Sequence, residues 1–271
     1  MFLNDMRLTK IIMIVRRDGL VFTTKRVVAW LIGHSPLAYK LSFPYYKNVR
    51  LVFASSMLTY ILFASKKERQ NDLRVLEEYI KAGDTVVDVG AHIGSMAIVA
   101  ATIVGQAGRV LTFEPVPKFF NILNANIKVN NLNDIIRSYP YAVGSKSSEV
   151  YMDDSVLDDT TNHVANAGTK VTQVTLDEFT HDVEAINFLK IDVEGYELEV
   201  LKGAQLTLTK TETIFIEFYT KNLTNLQYSP SDVIKILETN FVLYEQDNVE
   251  LKPFIYDNTQ AYEVNLIGRK K

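Results

Sequence analysis

Val-Val-Asp-Val-Gly-Ala-His-Ile-Gly, residues 86–94, is an apolar run that ends in Asp88 and turns through Gly90 and Gly94. A helix-like segment, Ser95–Val104, follows at once. Strand, glycine loop and helix in that order are how an α/β sheet holds a nucleotide-like ligand at its carboxyl edge. Twenty residues past Gly94, a second apolar run, Arg109–Phe113, ends in Glu114-Pro115. A carboxylate at the tip of the next strand is placed to accept hydrogen bonds from a ribose.

The glycine spacing separates ligand classes. Nicotinamide cofactors favour Gly-x-Gly-x-x-Gly, whose close glycines let a pyrophosphate approach the backbone. This loop reads Gly-x-x-x-Gly with an acid two residues upstream. An acid repels a pyrophosphate and suits a cationic amino-acid ligand. S-adenosylmethionine, with its ammonium, sulfonium and ribose hydroxyls, fits better, so a nicotinamide-dependent oxidoreductase ranks second. A non-catalytic nucleotide-binding module is the other alternative.

A second signature is Phe188-Leu-Lys-Ile-Asp192-Val-Glu194-Gly195-Tyr-Glu197. Carboxylates crowded at a strand's carboxyl end are costly unless solvated, paired or used. Asp192 and Glu194 read as functional, whereas Glu197 reads as a surface acid at a helix start. Glu217 ends a neighbouring strand and can face the same cleft. Three such acids can hold a divalent cation through oxygen, but no spacing rule selects that reading, and the sequence assigns no metal ligand. Of the four histidines, His34 and His181 read as ordinary polar groups. His92 lies in the ligand loop, and His163, in the polar stretch 153–168, is a candidate base. Tyr219 and Tyr228 read as packing residues.

The composition, 47% apolar and 23% charged, is that of an ordinary globular protein, so disorder is not expected. The absence of cysteine excludes disulfides, thiolate metal sites and a cysteine nucleophile, and fits a reducing, cytoplasmic setting. Residues 1–50 carry nine Lys/Arg against two acids, a net of +7, and the rest twenty against thirty, a net of −10. That basic head, with Arg7, Lys10, Arg16, Arg17, Lys25 and Arg26 among apolar residues, suits peripheral contact with anionic lipid. A packing or dimerisation arm is the competing reading. Nucleic acid is not expected, because the cleft is acidic. No apolar run is long enough for a spanning helix, and no signal-peptide pattern is present.

Along the chain, residues 1–45 read as two basic amphipathic helices broken at Asp18-Gly19, the second capped by Thr23 or Thr24. Residues 49–64 read as two buried strands. Asp72–Ala82 is an amphipathic helix stopped by Gly83. Strands 85–89 and 109–113 alternate with helices 95–104 and one opened by Pro117, whose Phe120, Leu123 and Ile127 face inward. A third strand is expected near 135–143, with β pieces at 150–152 and 170–174 around a polar loop. Strand 187–192, helix 197–202, strand 213–218 and a helix from Ser229-Pro230 follow. Strands 241–245 and 261–267 close the sheet as a hairpin. The alternation argues for a parallel sheet.

With both signatures in place, the chain resembles the FkbM family of S-adenosylmethionine-dependent methyltransferases. The matching pieces run in family order from Asp88–Gly94 through Phe113–Pro117, Asn124–Asn131, Ala142–Gly144 and Thr175–Phe179 to Leu189–Glu197, Val200–Ala204 and Ile214–Glu217. Two positions depart from the family pattern: His92 stands where Asn is usual, and Phe218-Tyr219 where a histidine often follows Glu217. The resemblance implies an α/β class I methyltransferase (Rossmann-like) fold, a mostly parallel seven-stranded sheet with helices on both faces. An N-terminal helical and strand extension precedes it, with residues 1–45 as the extension and 46–271 as the catalytic domain. It also implies O-methylation of a sugar or natural-product hydroxyl. Asp88, Gly90, Ala91 and Gly94 would then surround the amino-acid end of the cofactor, with Glu114 on the ribose and Tyr141-Ala142 bordering the adenine. The general base would be Asp192, or alternatively Glu194 or His163.

Overall fold

The computed structural model describes residues 19–65, 69–153, 163–247 and 250–271. The chain forms two compact units, Met1–Gln70 and Asn71–Lys271.

In the first unit, helix α1 (Leu20–Gly33) is followed by an antiparallel hairpin, β1 (Ser42–Tyr46) with β2 (Val49–Val52), and by helix α2 (Met57–Ala64). Residue 45, the boundary expected from the sequence, lies within this hairpin, which groups with α1. The first of the two basic helices expected in 1–45 lies outside the described residues. Thr23 and Thr24 do not cap the second: Gly19 does, and both hydroxyls donate back to the Gly19 and Leu20 carbonyls. Residues 57–64 are a helix and not the second of two strands. A strand there would need a partner for its backbone groups, and β1 already pairs with β2, whereas a helix satisfies them internally. Phe43, Phe53 and Phe63 form the unit's aromatic core, with ring centroids 4.9–5.3 Å apart.

The second unit opens with helix α3 (Gln70–Tyr79), β3 (Thr85–Val89), α4 (Ser95–Val104), β4 (Arg109–Phe113), α5 (Pro117–Val129) and β5 (Ile136–Tyr139). Short strands β6 (Ala142–Val143), β7 (Ser148–Met152), β8 (Val164–Ala165) and β9 (Thr169–Val174) form a separate sheet in the order β6-β9-β7-β8. Helix α6 (Leu176–Thr180), β10 (Ile186–Ile191), α7 (Glu197–Lys202), α8 (Gln205–Lys210) and β11 (Thr211–Tyr219) follow. The unit ends with α9 (Thr220–Asn225), α10 (Pro230–Asn240), β12 (Phe241–Asp247), β13 (Glu250–Pro253) and β14 (Glu263–Lys270).

The main sheet has the order β13-β12-β14-β11-β10-β3-β4-β5. Strands β11, β10, β3, β4 and β5 run parallel, while β14 inserts antiparallel between β11 and β12. The seven expected strands are there, and β13 adds an eighth as an edge hairpin with β12. The single strand expected at 135–143 is divided between the two sheets at Pro140, which has no N–H for a ladder. The central strands are buried on both faces, as parallel strands between helices must be. Helix α5 buries Phe119, Ile122, Leu123 and Ile127; Phe120 is only half-buried, so its inner face starts one residue earlier than expected. Among the described residues no helix is long and apolar enough to cross a membrane.

Candidate active site

Four adjacent parallel strands deliver four acids to one edge of the main sheet. Glu114 follows β4, Asp88 lies near the end of β3, Asp192 follows β10, and Glu217 stands near the end of β11. Registers Lys190↔Asp88 and Ile191↔Ile216 bring these ends level. The chain fills β3, β4 and β5 outward on one side and β10 and β11 on the other. The reversal between β3 and β10 is the switch point where open α/β sheets bind ligands.

The glycine loop is tied down on three sides. The N–H groups of Gly90 and Ala91 both donate to the Phe113 carbonyl at 3.0 Å, joining the loop to the end of β4. The buried Asn126 of α5 donates to the Ile93 carbonyl at 2.9 Å. At Gly90, φ is +80° and a Cβ would lie 1.9 Å from the Asp192 carbonyl oxygen. Only glycine fits, because both the left-handed backbone and the touching loop exclude a side chain. The His92 ring packs against Phe119, tilted by 36° at a centroid distance of 4.1 Å, and its backbone N–H donates to Glu114 Oε2 at 2.8 Å.

Glu114 is buried, and Oε1 accepts from the Val116 N–H at 2.8 Å. Burial pushes its carboxyl up to about 7, against the pull of the Val116 and His92 amides and of Lys190. Each oxygen keeps acceptor capacity for a diol hydroxyl.

Lys190 binds the two signatures together. Its buried ammonium lies 3.2 Å from Asp88 Oδ1 and 3.3 Å from Asp192 Oδ2, and donates to the Gly90 carbonyl at 3.2 Å. Asp88 is buried, and although the ammonium sits at ion-pair distance, neither carboxylate oxygen accepts a hydrogen bond among the described residues. A buried carboxylate with open lone pairs seeks a cationic donor. The amino-acid end of S-adenosylmethionine supplies one, so the residues present fit that cofactor. Lys190 is not among the candidates the sequence offers, although it carries a signal: one lysine inside the otherwise apolar, buried run 188–191.

Asp192, Glu194 and Glu217 each bring a ligand atom within 4.8 Å of the others. His163 is not in that group; it flanks the edge strand β8, where its carbonyl accepts from the Asp153 N–H. Asn222 of α9 donates to Glu194 Oε2 at 3.1 Å, a contact with no sequence signal. Glu217 Oε2 is buried and accepts no hydrogen bond among the described residues. Burial first, then the Asp192, Glu194 and Glu197 carboxylates, push the Glu217 carboxyl up to about 9. That upward shift favours the protonated carboxyl, the form that can donate. Glu197 is no surface acid. It is buried, and Oε1 accepts from the Val193 and Gly195 N–H groups, holding the acidic loop in shape. Burial raises its carboxyl to about 7. Acids so crowded around one lysine make an edge that favours a cationic ligand.

At the far side, Tyr141 and the buried Ala142 adjoin an aromatic group of Phe113, Tyr139 and Phe179. The Tyr139 and Phe179 centroids are 4.8 Å apart, and those of Tyr141 and Phe179 5.7 Å. A flat ring suits such a wall. Tyr139 and Phe179 were not singled out, because strand and helix periodicity account for them equally well. His34 and His181 are structural: the former lies within hydrogen-bond distance of Ser55 Oγ, the latter of the Glu178 carbonyl.

Residues 88–245 match the Methyltransferase FkbM domain. Hexuronic acid methyltransferase AglP of Haloferax volcanii is 29% identical over 172 residues, which cover 62% of this chain and 67% of that protein. Methyltransferase 1 of Beauveria bassiana is 24% identical over 144 residues, covering 44% and 57% of the two chains. Among solved structures, the O-methyltransferase from Bacillus cereus in complex with SAH is 14% identical. It covers 76% of this chain and 80% of its own, at a TM-score of 0.44.

Proposed function

The chain belongs to the FkbM methyltransferase family and is a SAM-dependent methyltransferase, and on that premise we propose that it methylates a hydroxyl of a sugar or glycan. The observation that carries the reading is the row of acids on one sheet edge, Glu114, Asp88, Asp192 and Glu217, with Lys190 between two of them. The 29% identity to a hexuronic acid methyltransferase supports the sugar class.

When bound, S-adenosylmethionine supplies a methyl group already activated on sulfur. What remains for the protein is alignment and proton removal. We assign Asp88 and the loop Gly90, Ala91, His92 and Gly94 to the amino-acid end, Glu114 to the ribose, and Tyr141-Ala142 to the adenine side. Asp192 takes the proton of the acceptor hydroxyl, with Glu194 or His163 as the alternative base. Glu217, its carboxyl pushed up by burial and by its acidic neighbours, offers the same group a hydrogen-bond donor in its protonated form.

The test is calorimetric titration of the protein with S-adenosylmethionine, with NAD and NADP as controls, followed by methyl transfer to uronic-acid and neutral-sugar acceptors. Micromolar cofactor binding that disappears in Asp88→Ala and Glu114→Ala supports the site. Methylation of protein or nucleic acid but of no sugar overturns the acceptor assignment.

A further inference from the structure

Helix α1 has two faces, and among the described residues only one of them is packed. Ala29 and Gly33 are buried, and Gly33 sits so close to the β2–α2 connection that a Cβ would lie 2.7 Å from the Ala54 carbonyl. The opposite face carries Leu20, Val27, Val28 and Leu31, at the i, i+7, i+8, i+11 spacing of a single helical stripe. They are 68%, 42%, 41% and 52% exposed. Val21 on the helix and Leu37, Tyr39 and Leu41 in the segment leading to β1 extend the exposed apolar surface. Eight of the twelve exposed large hydrophobic side chains among the described residues fall within residues 20–41. Such a concentration marks an interaction surface.

The charge along this stretch of the sequence has one sign. Between Asp18 and Glu68 the sequence holds seven Lys or Arg and no acid. Lys25 borders the stripe, four residues after Val21 and three before Val28, and Lys40 lies between Tyr39 and Leu41; both are exposed. Two copies meeting through this face would bring like charges together.

We infer that the outer face of α1 and the segment 37–41 dock on an anionic membrane surface, with the helix lying in the plane of the headgroups. Its 14 residues span about 21 Å, too short to cross a hydrocarbon core of about 30 Å. Partial burial of aliphatic side chains combines with attraction of the basic residues to anionic headgroups; each contribution is weak alone and they are effective together. This surface belongs to the first unit, and the inference does not depend on methyl transfer.

The test is co-sedimentation of the full chain with vesicles of phosphatidylcholine alone or with about a third phosphatidylglycerol. Binding is expected only to the anionic vesicles, and raised salt weakens it. Val27→Ser with Leu31→Ser lowers binding about tenfold or more, and Lys25→Glu with Lys40→Glu does the same. Far-UV circular dichroism of each variant confirms that it is folded. No sedimentation of the wild-type chain, or sedimentation unchanged by the serine pair, overturns the inference. So does a lipid-free dimer that the serine pair dissociates, which would make a second copy the occupant. Titration with S-adenosylmethionine on the same samples reports the methyltransferase reading separately.

Discussion

Lys190 Nζ stands 3.2 Å from Asp88 Oδ1, and the two residues are register partners on adjacent parallel strands. The pair joins the strand that opens the glycine loop to the strand that carries the acidic loop. It also sets the charge balance of the site, because the same ammonium lies 3.3 Å from Asp192 Oδ2. A buried lysine is stable only while its carboxylates remain, and the reverse is equally true.

Lys190→Met is therefore expected to destabilise the protein by about 3–5 kcal/mol, since it leaves buried carboxylate charge uncompensated. Urea unfolding measures this. The double variant with Asp88→Asn regains part of the loss, and additive single effects would show that the two groups are not coupled.

Gly90→Ala meets both a positive φ and the Asp192 carbonyl at 1.9 Å, whereas Gly83, at φ +89°, has nothing within 4 Å of its Cβ position. The Gly83 substitution carries only the left-handed backbone cost, about 1–2 kcal/mol. Gly90→Ala is expected to cost about 3–5 kcal/mol and to abolish cofactor binding as the two loops part. Equal denaturation midpoints for the two variants would contradict the close approach.

Stability without ligand is expected to fall as pH rises towards 9. The Glu217 carboxyl, raised from 4.5 to about 9, keeps in the folded state a proton that the unfolded chain has released. Glu114 and Glu197, raised to about 7, add to the decline below neutrality. Glu217→Gln cannot titrate, so its thermal midpoint should fall less steeply than the wild type's between about pH 7 and 9. Parallel curves for the two proteins would remove Glu217 as the source.

Asp192→Asn is expected to lower kcat by about 100-fold or more while cofactor affinity changes by only a few-fold. The deficit should shrink as acceptor hydroxyls become more acidic, because less is then asked of a base. A variant with wild-type turnover would pass the role to Glu194 or His163.

Much of the second unit is legible in the sequence alone. Strands 85–89 and 109–113 and helices 95–104 and 197–202 form where apolar runs, glycines and Pro117 place them. Local signals sufficed there because strand, turn and helix propensities agree within a few residues. The run 51–64 was not legible: without charges or alternation, strand and helix bury it equally well, and pairing partners decided. The edge strand β13 and the division at Pro140 likewise depend on which strands lie alongside. In the site, Asp88, Gly90 and Glu114 announce themselves by spacing. Glu197 was misjudged because an acid at a helix start looks the same whether water or the Gly195 amide satisfies it.

The sequence by itself determined the strand–glycine loop–helix frame, the acids at the strand ends and the family to which they belong. Each of these is written in residues within reach of one another along the chain. Only the tertiary structure decided that Lys190 reaches Asp88 across a gap of 102 positions, that Asn222 holds Glu194, and that Glu217 lies buried among acids that push its carboxyl up. Such charge relations depend on distance and burial, and parallel pairing sets both between segments that the sequence keeps far apart.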